Sequence, residues 1–555
     1  MSYRTSSTLA FAIGLAACAG RPSSWDAPIS SQGQSYSLSH AVVVIDDGLH
    51  RAAVLTVASG QSLTTNFLPV GHGVTNVTSS SDGERLFVLS EGDAQTSSGT
   101  GQPPMLTVIS FDPQTFQPSE VTYPFSSPLN SLAIDPSGQW AVAYAASSSN
   151  TYARQTSFIE DPNELLFFDL SRPSGSAPLP FELRSYGGSP ARLTFTPELP
   201  SLPGGPSRLL VVEATSSDVH LIDLAHVADP KPRAEVVIPL TSAQNSATIT
   251  PQGLAIAPAD STGYPKMALR TTDRNVFSWQ LGPTSSTATD ANPFEPSINE
   301  TDVGGVPSDI AFVQTDAGMR LAAIVPGTSS AALVDPNTML TTFVALPASF
   351  SHISLVTGSV GAGGGSSDGG AGGTAAGSDV ALLWGSNASG VALWSLGVSV
   401  DRSYDSTVFI NVGSNVTAVE DVPAPNQTLK LLEISSGTEF FVLDLLRQTA
   451  APLNASSSAT LSISPDDGDR VWAFAAGQTS LASIDLLTRQ FTPLVTVLPV
   501  SAAYEIARAQ PSTQNAGRAL LTVSNSGALG VTVFDAVHPA SSAAQRYAGL
   551  FMEGQ

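Results

Sequence analysis

The chain has 555 residues, of which 12% are charged, with 46 acidic against 23 basic side chains and a net charge of -23. Little here would neutralise phosphates, which excludes a basic nucleic-acid binder, and one cysteine excludes a disulfide scaffold. An apolar content of 42% excludes intrinsic disorder, and the lack of any run of 18 apolar residues excludes a polytopic helical membrane protein.

The N-terminus reads as an export signal. Arg4 supplies the positive start, and Leu9-Ala10-Phe11-Ala12-Ile13-Gly14-Leu15 is an apolar core too short to span a bilayer. Leu15-Ala16-Ala17-Cys18 follows. A small-residue run ending in cysteine resembles the lipobox of bacterial lipoproteins. The resemblance implies cleavage after Ala17, so that residues 1–17 are the signal peptide, and acylation of Cys18. Several acyl chains on one residue give stable anchoring where a single chain would not. The next residue is Ala19 rather than Asp, which in that family implies the outer membrane. Residues 18–37 are then the lipidated cysteine and a polar, Pro/Ser/Gly-rich tether, and residues 38–555 are the folded body.

That body repeats itself. Short β-branched and aromatic runs end in an Asp that opens a turn, at Asp112, Asp169, Asp223, Asp335, Asp444, Asp485 and Asp535. Thr56, Gln280 and Ser395 hold the equivalent place in three further copies, so the ten copies recur every ~53 residues. Each copy reads as four short strands, a to d. In the clearest one, Ala459–Ser464 is a, Arg470–Phe474 is b, Ser480–Asp485 is c and Phe491–Val497 is d. Asp82-Gly83, Ser137-Gly138 and Asp467-Gly468 mark the a–b corner, where glycine supplies a positive φ at low cost. The central residue of strand a is small in nine copies, from Thr78 and Ala133 to Ser462 and Ala507. Strands crowded together by the taper of a radial assembly need that.

These units resemble the propeller repeats of the YVTN and lactonase-like families, whose corner Ser464-Pro465-Asp466-Asp467-Gly468 matches best. The resemblance implies an all-β fold, a β-propeller of four-stranded blades. Single propellers have about four to eight blades. Ten units therefore leave open seven or eight blades with some units outside the propeller, one unusually large propeller, or two. The first copy lacks an evident strand a, and a C-terminal strand over Arg546–Phe551 is expected to close the ring there. Residues 358–377 are almost pure Gly, Ala and Ser. They read as a low-complexity a–b loop between strands Ser351–Leu355 and Val380–Trp384.

Motifs for catalysis or metal binding are missing: the sequence has no H-E-x-x-H, C-x-x-C, G-x-S-x-G or Walker A pattern. No metal or other cofactor and no catalytic residue is assigned. His220 and His226 are expected on different elements, and the Trp residues, Trp384 among them, in the core. The remaining candidate is the axial face, where strands a begin. Asn76, Arg192, Asp309, His352 and Glu505 precede the first apolar position of their strands, and they are expected to converge there as donors and acceptors for a ligand. The functional expectation is a cell-envelope lipoprotein, held to the lipid bilayer by its acyl anchor, acting as a non-catalytic binding or scaffold propeller for a protein or glycan. The alternatives are a lactonase-like hydrolase and a small-ligand or glycan sensor using the same funnel.

Overall fold

The computed structural model describes residues 34–548 apart from 59–61, 94–100, 113–114, 147–161, 185–187, 203–204, 229–233, 241–248, 260–263, 283–296, 316, 357–379, 386, 397–406, 435–438, 454, 456–458, 466–467, 509–516, 526–529 and 540–543. Cys18, the signal peptide and the Gly/Ala/Ser run at 358–377 lie outside the described residues.

The fold is all-β. Ten four-stranded antiparallel sheets follow one another along the chain, each with its strands in sequence order. They are the blades of a β-propeller, numbered here 1 to 10, with innermost strands beginning at residues 34, 74, 131, 190, 251, 309, 352, 416, 459 and 502. All ten units of the repeat are blades, so a count of seven or eight is corrected to ten. Blade 4 carries an extra hairpin, Leu199–Leu202 with Gly205–Ser207, between its first two strands. Blade 9 has strands at Ala459–Ile463, Arg470–Ala475, Ser480–Asp485 and Phe491–Val495. Two corrections concern the chain ends. Blade 1 has its own innermost strand, Gln34–Ser37, inside the stretch that composition assigns to the tether. The C-terminal strand, Gln545–Ala548, is the outermost strand of blade 10 and pairs with Gly530–Asp535 rather than with blade 1. The short polar strand Gln34–Ser37 has no hydrophobic period to reveal it.

The repeated sequence signals have local causes. Gly83 and Gly138 take φ of 70° and 69° at the a–b corners, and their N–H groups donate to Ser80 O and Asp135 O. The repeated Asp accepts from backbone N–H groups of the c–d turn. Asp335 Oδ1 takes Asn337 N and Thr338 N, Asp485 Oδ1 takes Leu487 N and Thr488 N, and Asp535 Oδ1 takes Val537 N and His538 N. The carboxylate thus satisfies donors that the tight turn leaves without backbone partners.

The chain forms two compact units, and the boundary between them runs through blade 9. The first unit holds residues 1–126, 474–483 and 492–555. In it blade 10 packs on blade 1 through Ile506, Leu521, Val531 and Val533 against Val42, Val44, Ala53 and Leu55. Tyr504 OH also donates to Ser35 O at 2.7 Å. Blade 1 in turn packs on blade 2 through Val43, Val54, Leu86 and Val88. The second unit holds residues 127–473 and 484–491. There each of blades 3 to 7 buries one face against the next, with Phe167, Met267, Leu333 and Leu432 among the buried side chains. Residues alternate across a strand, so each blade offers an apolar face to either neighbour. In this unit the innermost strands Pro251–Ile256, Asp309–Thr315 and His352–Leu355 lie side by side. Their central residues Ala255, Ala311 and Ser354 are half-buried, which is where the small-residue rule applies.

Candidate functional site

Innermost strands start at one end of their blades, next to the end of the second strand. Four of them carry a register irregularity there, between Val74 and Asn76, Pro190 and Arg192, Pro251 and Gly253, and Val416 and Ala418. A bulge leaves one residue unpaired and re-aims its neighbours. Pro190 and Pro251 suit the position, having no N–H to donate to the ladder.

In the second unit these strand ends assemble a polar cluster across successive blades. Arg192 sits opposite Glu213 in register. Its guanidinium is exposed, and its Nη1 stands 4.0 Å from Glu213 Oε1, whose side chain is only 3% exposed. Glu213 Oε1 has no hydrogen-bond partner. Burial pushes the Glu213 carboxyl above its ordinary range, outweighing the opposite pull of Arg192 and Arg270. Arg270 comes from the second strand of blade 5, opposite Gly253. A Cβ at residue 253 would stand 2.8 Å from Arg270 Nε, so the glycine is what lets this side chain lie across the inner strand. Arg270 is lowered from its ordinary value, first by burial; Asp309 and Glu213 oppose the shift and Arg192 adds to it. One half-buried cation is therefore within electrostatic reach of all three charges.

Asp309 opens blade 6 and is already engaged. Its Oδ1 accepts from Ile310 N and its Oδ2 from Ile353 N at 3.0 Å, stitching blade 6 to blade 7. His352 opens blade 7, with Nδ1 3.8 Å from Asp309 Oδ2. Its ring stacks on Trp384, centroids 5.3 Å apart and planes at 24°. Tyr144 of blade 3 feels the Arg192 charge as well; burial raises its hydroxyl pKa, while a hydrogen bond with Ser131 and that charge lower it.

Three of the five sequence candidates thus lie in one cluster: Arg192, Asp309 and His352. The other two lie in the first unit, each in a separate setting. Asn76 is half-buried, accepts from Thr78 Oγ1 at 2.9 Å, and lines a cleft of about 290 Å3 with Gln34, Tyr36 and Asp47. Glu505 is not at a strand start. Its strand begins three residues earlier, at Ala502, and Glu505 is buried with Arg518 Nε donating to its carboxylate at 3.0 Å. The weakly apolar Ala502-Ala503 opening misplaces the strand start in the sequence. Sequence reasoning also missed Glu213 and Arg270. The signal was present: each is a charge next to the last residue of a largely apolar second strand, LLVVEA and KMALRT. Trp384 was assigned wholly to the core, but it is only half-buried and also supports His352.

His220 serves packing. It is buried, with Nδ1 2.7 Å from Glu235 Oε1, and Glu235 also accepts from Arg184 N and Nε. His226 is a separate residue at the end of a 3-10 turn, with Nε2 3.9 Å from Asp223 Oδ2. Among the described residues no three His, Cys, Asp or Glu side chains are grouped to hold a metal ion.

No protein-family model and no curated protein matches the chain. Among solved structures, the chain is similar to a dihydro-heme d1 dehydrogenase, NirN, in complex with DHE. The identity is 11% over 84% of this chain and 76% of that one, at a TM-score of 0.37. It is also similar to the periplasmic gluconolactonase PpgL of Pseudomonas aeruginosa, at 15% identity over 56% and 83% of the two chains, TM-score 0.29. A third is apo AztD from Citrobacter koseri, at 8% identity over 82% and 92%, TM-score 0.32. The site is accordingly read from its own residues.

Proposed function

We propose that the chain is a cell-envelope lipoprotein whose propeller binds a ligand, without turnover, at the inner-strand ends of blades 3 to 7. The observation that carries the binding reading is unfilled hydrogen-bonding capacity. Glu213 Oε1 is buried without a hydrogen bond, 4.0 Å from the exposed guanidinium of Arg192. Buried polar atoms are normally paired, and the exposed Arg192 guanidinium beside this one is where a ligand would make contact. The anchor reading rests on Leu15-Ala16-Ala17-Cys18 and on the polar stretch after it. About 15 residues separate Cys18 from the first strand, a reach of roughly 50 Å when extended, so the propeller would stay close to the outer-membrane surface.

Two experiments test this. Metabolic labelling with a palmitate analogue is expected to mark the wild type in the membrane fraction and to be lost in Cys18→Ser; unchanged labelling of the variant refutes the anchor. Thermal-shift screening of a metabolite collection is expected to find compounds that raise the melting temperature of the wild type but not of the Arg192→Ala/Arg270→Ala double variant. Shifts that survive in the double variant place binding elsewhere and refute the site.

A further inference from the structure

The ends of blades 3 and 4 opposite the strand starts form a second cleft, separate from the inner-strand cluster. Blade 4 departs from the four-stranded plan there, with the hairpin Leu199–Leu202 and Gly205–Ser207 inserted at its a–b corner. Leu199 is fully buried in the core shared with blade 5, which fixes the hairpin to the body. Glu198 stands just before the hairpin, and Ser207 and Arg208 at its end. With Gln139 and Trp140 from the a–b corner of blade 3 and Leu224 from the c–d turn of blade 4, they line a cleft of about 300 Å3, the size at which small-molecule sites begin.

The walls are held from behind. Ser207 Oγ donates to Asp223 Oδ1 at 2.8 Å and accepts from Ala225 N at 3.1 Å. Arg208 Nη1 donates to Thr196 O at 2.9 Å, and its Nε stands 3.4 Å from Asp135 Oδ1, also on the cleft wall. Asp135 and Arg208 therefore offset each other, and Glu198 leaves the lining with a single negative charge. What stays unengaged is a mixture of acceptors and donors. The Glu198 carboxylate and the Gln139 amide are exposed, and neither side chain makes a hydrogen bond within the described residues. Apolar surface lies beside them in the half-buried Trp140 and in Leu224. That combination discriminates among ligands. An anion would face Glu198 and Asp135 with one guanidinium, already paired, to offset them. An alkylammonium would find a single aromatic ring rather than a cage. A wholly apolar ligand would leave the polar groups without partners. A sugar ring carries hydroxyls that each donate and accept, together with apolar C–H faces, and meets both kinds of surface at once.

We propose that this cleft binds a neutral saccharide, its hydroxyls donating to the Glu198 carboxylate and bonding to the Gln139 amide while a C–H face of the ring rests against Trp140 and Leu224.

Titration calorimetry on the full chain in a polyoxyethylene detergent, which has no sugar headgroup, tests this with maltose, cellobiose and N,N′-diacetylchitobiose as probes. Heat of binding is expected from at least one of them at millimolar concentration. Glu198→Ala is expected to weaken that sugar by at least about tenfold, as loss of hydrogen bonds to a charged group does, and Gln139→Ala by about threefold or more. Both side chains are exposed and carry no internal hydrogen bond, so melting curves of the two variants are expected to match the wild type. Arg489→Ala, an exposed turn position on blade 9, is expected to change nothing. No heat from any of the three probes overturns the ligand class. Sugar binding unchanged in both Glu198→Ala and Gln139→Ala overturns the assignment to this cleft, and its loss in the Arg192→Ala/Arg270→Ala double variant alone places the sugar at the inner-strand cluster instead.

Discussion

Single residues in this chain separate into turn builders and site builders. The repeated Asp belongs to the first kind. In four blades the residue four positions after it has a positive φ without being glycine: Phe116 at 55°, Met339 at 61°, Gln448 at 54° and Arg489 at 59°. In three of them its N–H donates back to the Asp carbonyl, as Arg489 N does to Asp485 O at 2.7 Å. The left-handed region costs a non-glycine residue about 1–2 kcal/mol, against ~0.5–1 kcal/mol for the extra chain entropy that a glycine loses on folding. Arg489 is exposed, so Arg489→Gly is expected to stabilise the protein by up to ~1 kcal/mol, read as a higher urea midpoint. Glu213 belongs to the second kind. Its pKa is raised in the fold, chiefly by burial. Whatever Glu213 contributes is therefore fully present below its unfolded pKa and falls away as pH rises through the folded one. Glu213→Gln should lose that dependence. Its melting temperature is expected to gain on the wild type between pH 4 and pH 8, and a constant difference across that range would contradict the raised pKa.

At the scale of strands and loops, the blade is a self-contained hairpin stack that tolerates insertions wherever its flanks stay paired. Blade 7 shows this best. Residues 358–377 separate two strands that nonetheless pair in register from His352 with Trp384 to Leu355 with Ala381. Val356 N then donates to Val380 O at 2.9 Å. The flanks are already at hairpin separation, so replacing 358–377 by a short Asn-Gly-containing turn is expected to leave the fold intact. Circular dichroism and an unreduced melting temperature would show it, and an unfolded variant would mean that the segment is part of the blade. Bulges at the strand starts are the complementary device. They spend ladder pairing at one end of blades 2, 4, 5 and 8, and in blades 4 and 5 the Arg192, Glu213 and Arg270 side chains gather at that end.

On the scale of the molecule, blades 1 and 10 meet in one compact unit. Blades 1 and 10 share a core in which Leu521, Val523 and Val531 face Val42, Leu55 and Val57. Tyr547 adds a hydrogen bond from Leu63 N at 3.1 Å. This packing joint brings together strands far apart in sequence, Val42–Val57 and Ile506–Val533, so its stability rests on side-chain burial rather than on local pairing. Leu521 is fully buried, and Leu521→Ala is expected to cost about 2–5 kcal/mol. Urea unfolding should show the loss concentrated in the transition that exposes this unit, and a loss below ~1 kcal/mol would mean that the joint is loosely packed.

Much of the architecture was legible from local signals. The ten-fold repeat, the glycine corners, the turn-opening Asp residues and the small residues of the inner strands all act through contacts within one or two strands, and such constraints leave a period in the sequence. The strand Gln34–Ser37 escaped because it is short, polar and only half-buried, and Glu505 was misplaced because weakly apolar alanines open its strand. The cluster was half legible. Arg192, Asp309 and His352 stand at or near strand starts and could be picked out by position, whereas Glu213 and Arg270 stand on second strands, and Arg270 lies across the inner strand only because Gly253 makes room. That juxtaposition joins residues from four successive blades, from Arg192 of blade 4 to His352 of blade 7. Sequence by itself determined the repeat unit and the turns within it, since these depend on near neighbours. Only the tertiary structure decided which charges meet and which stay unpaired, because burial and the direction of a side chain are properties of the packed blades.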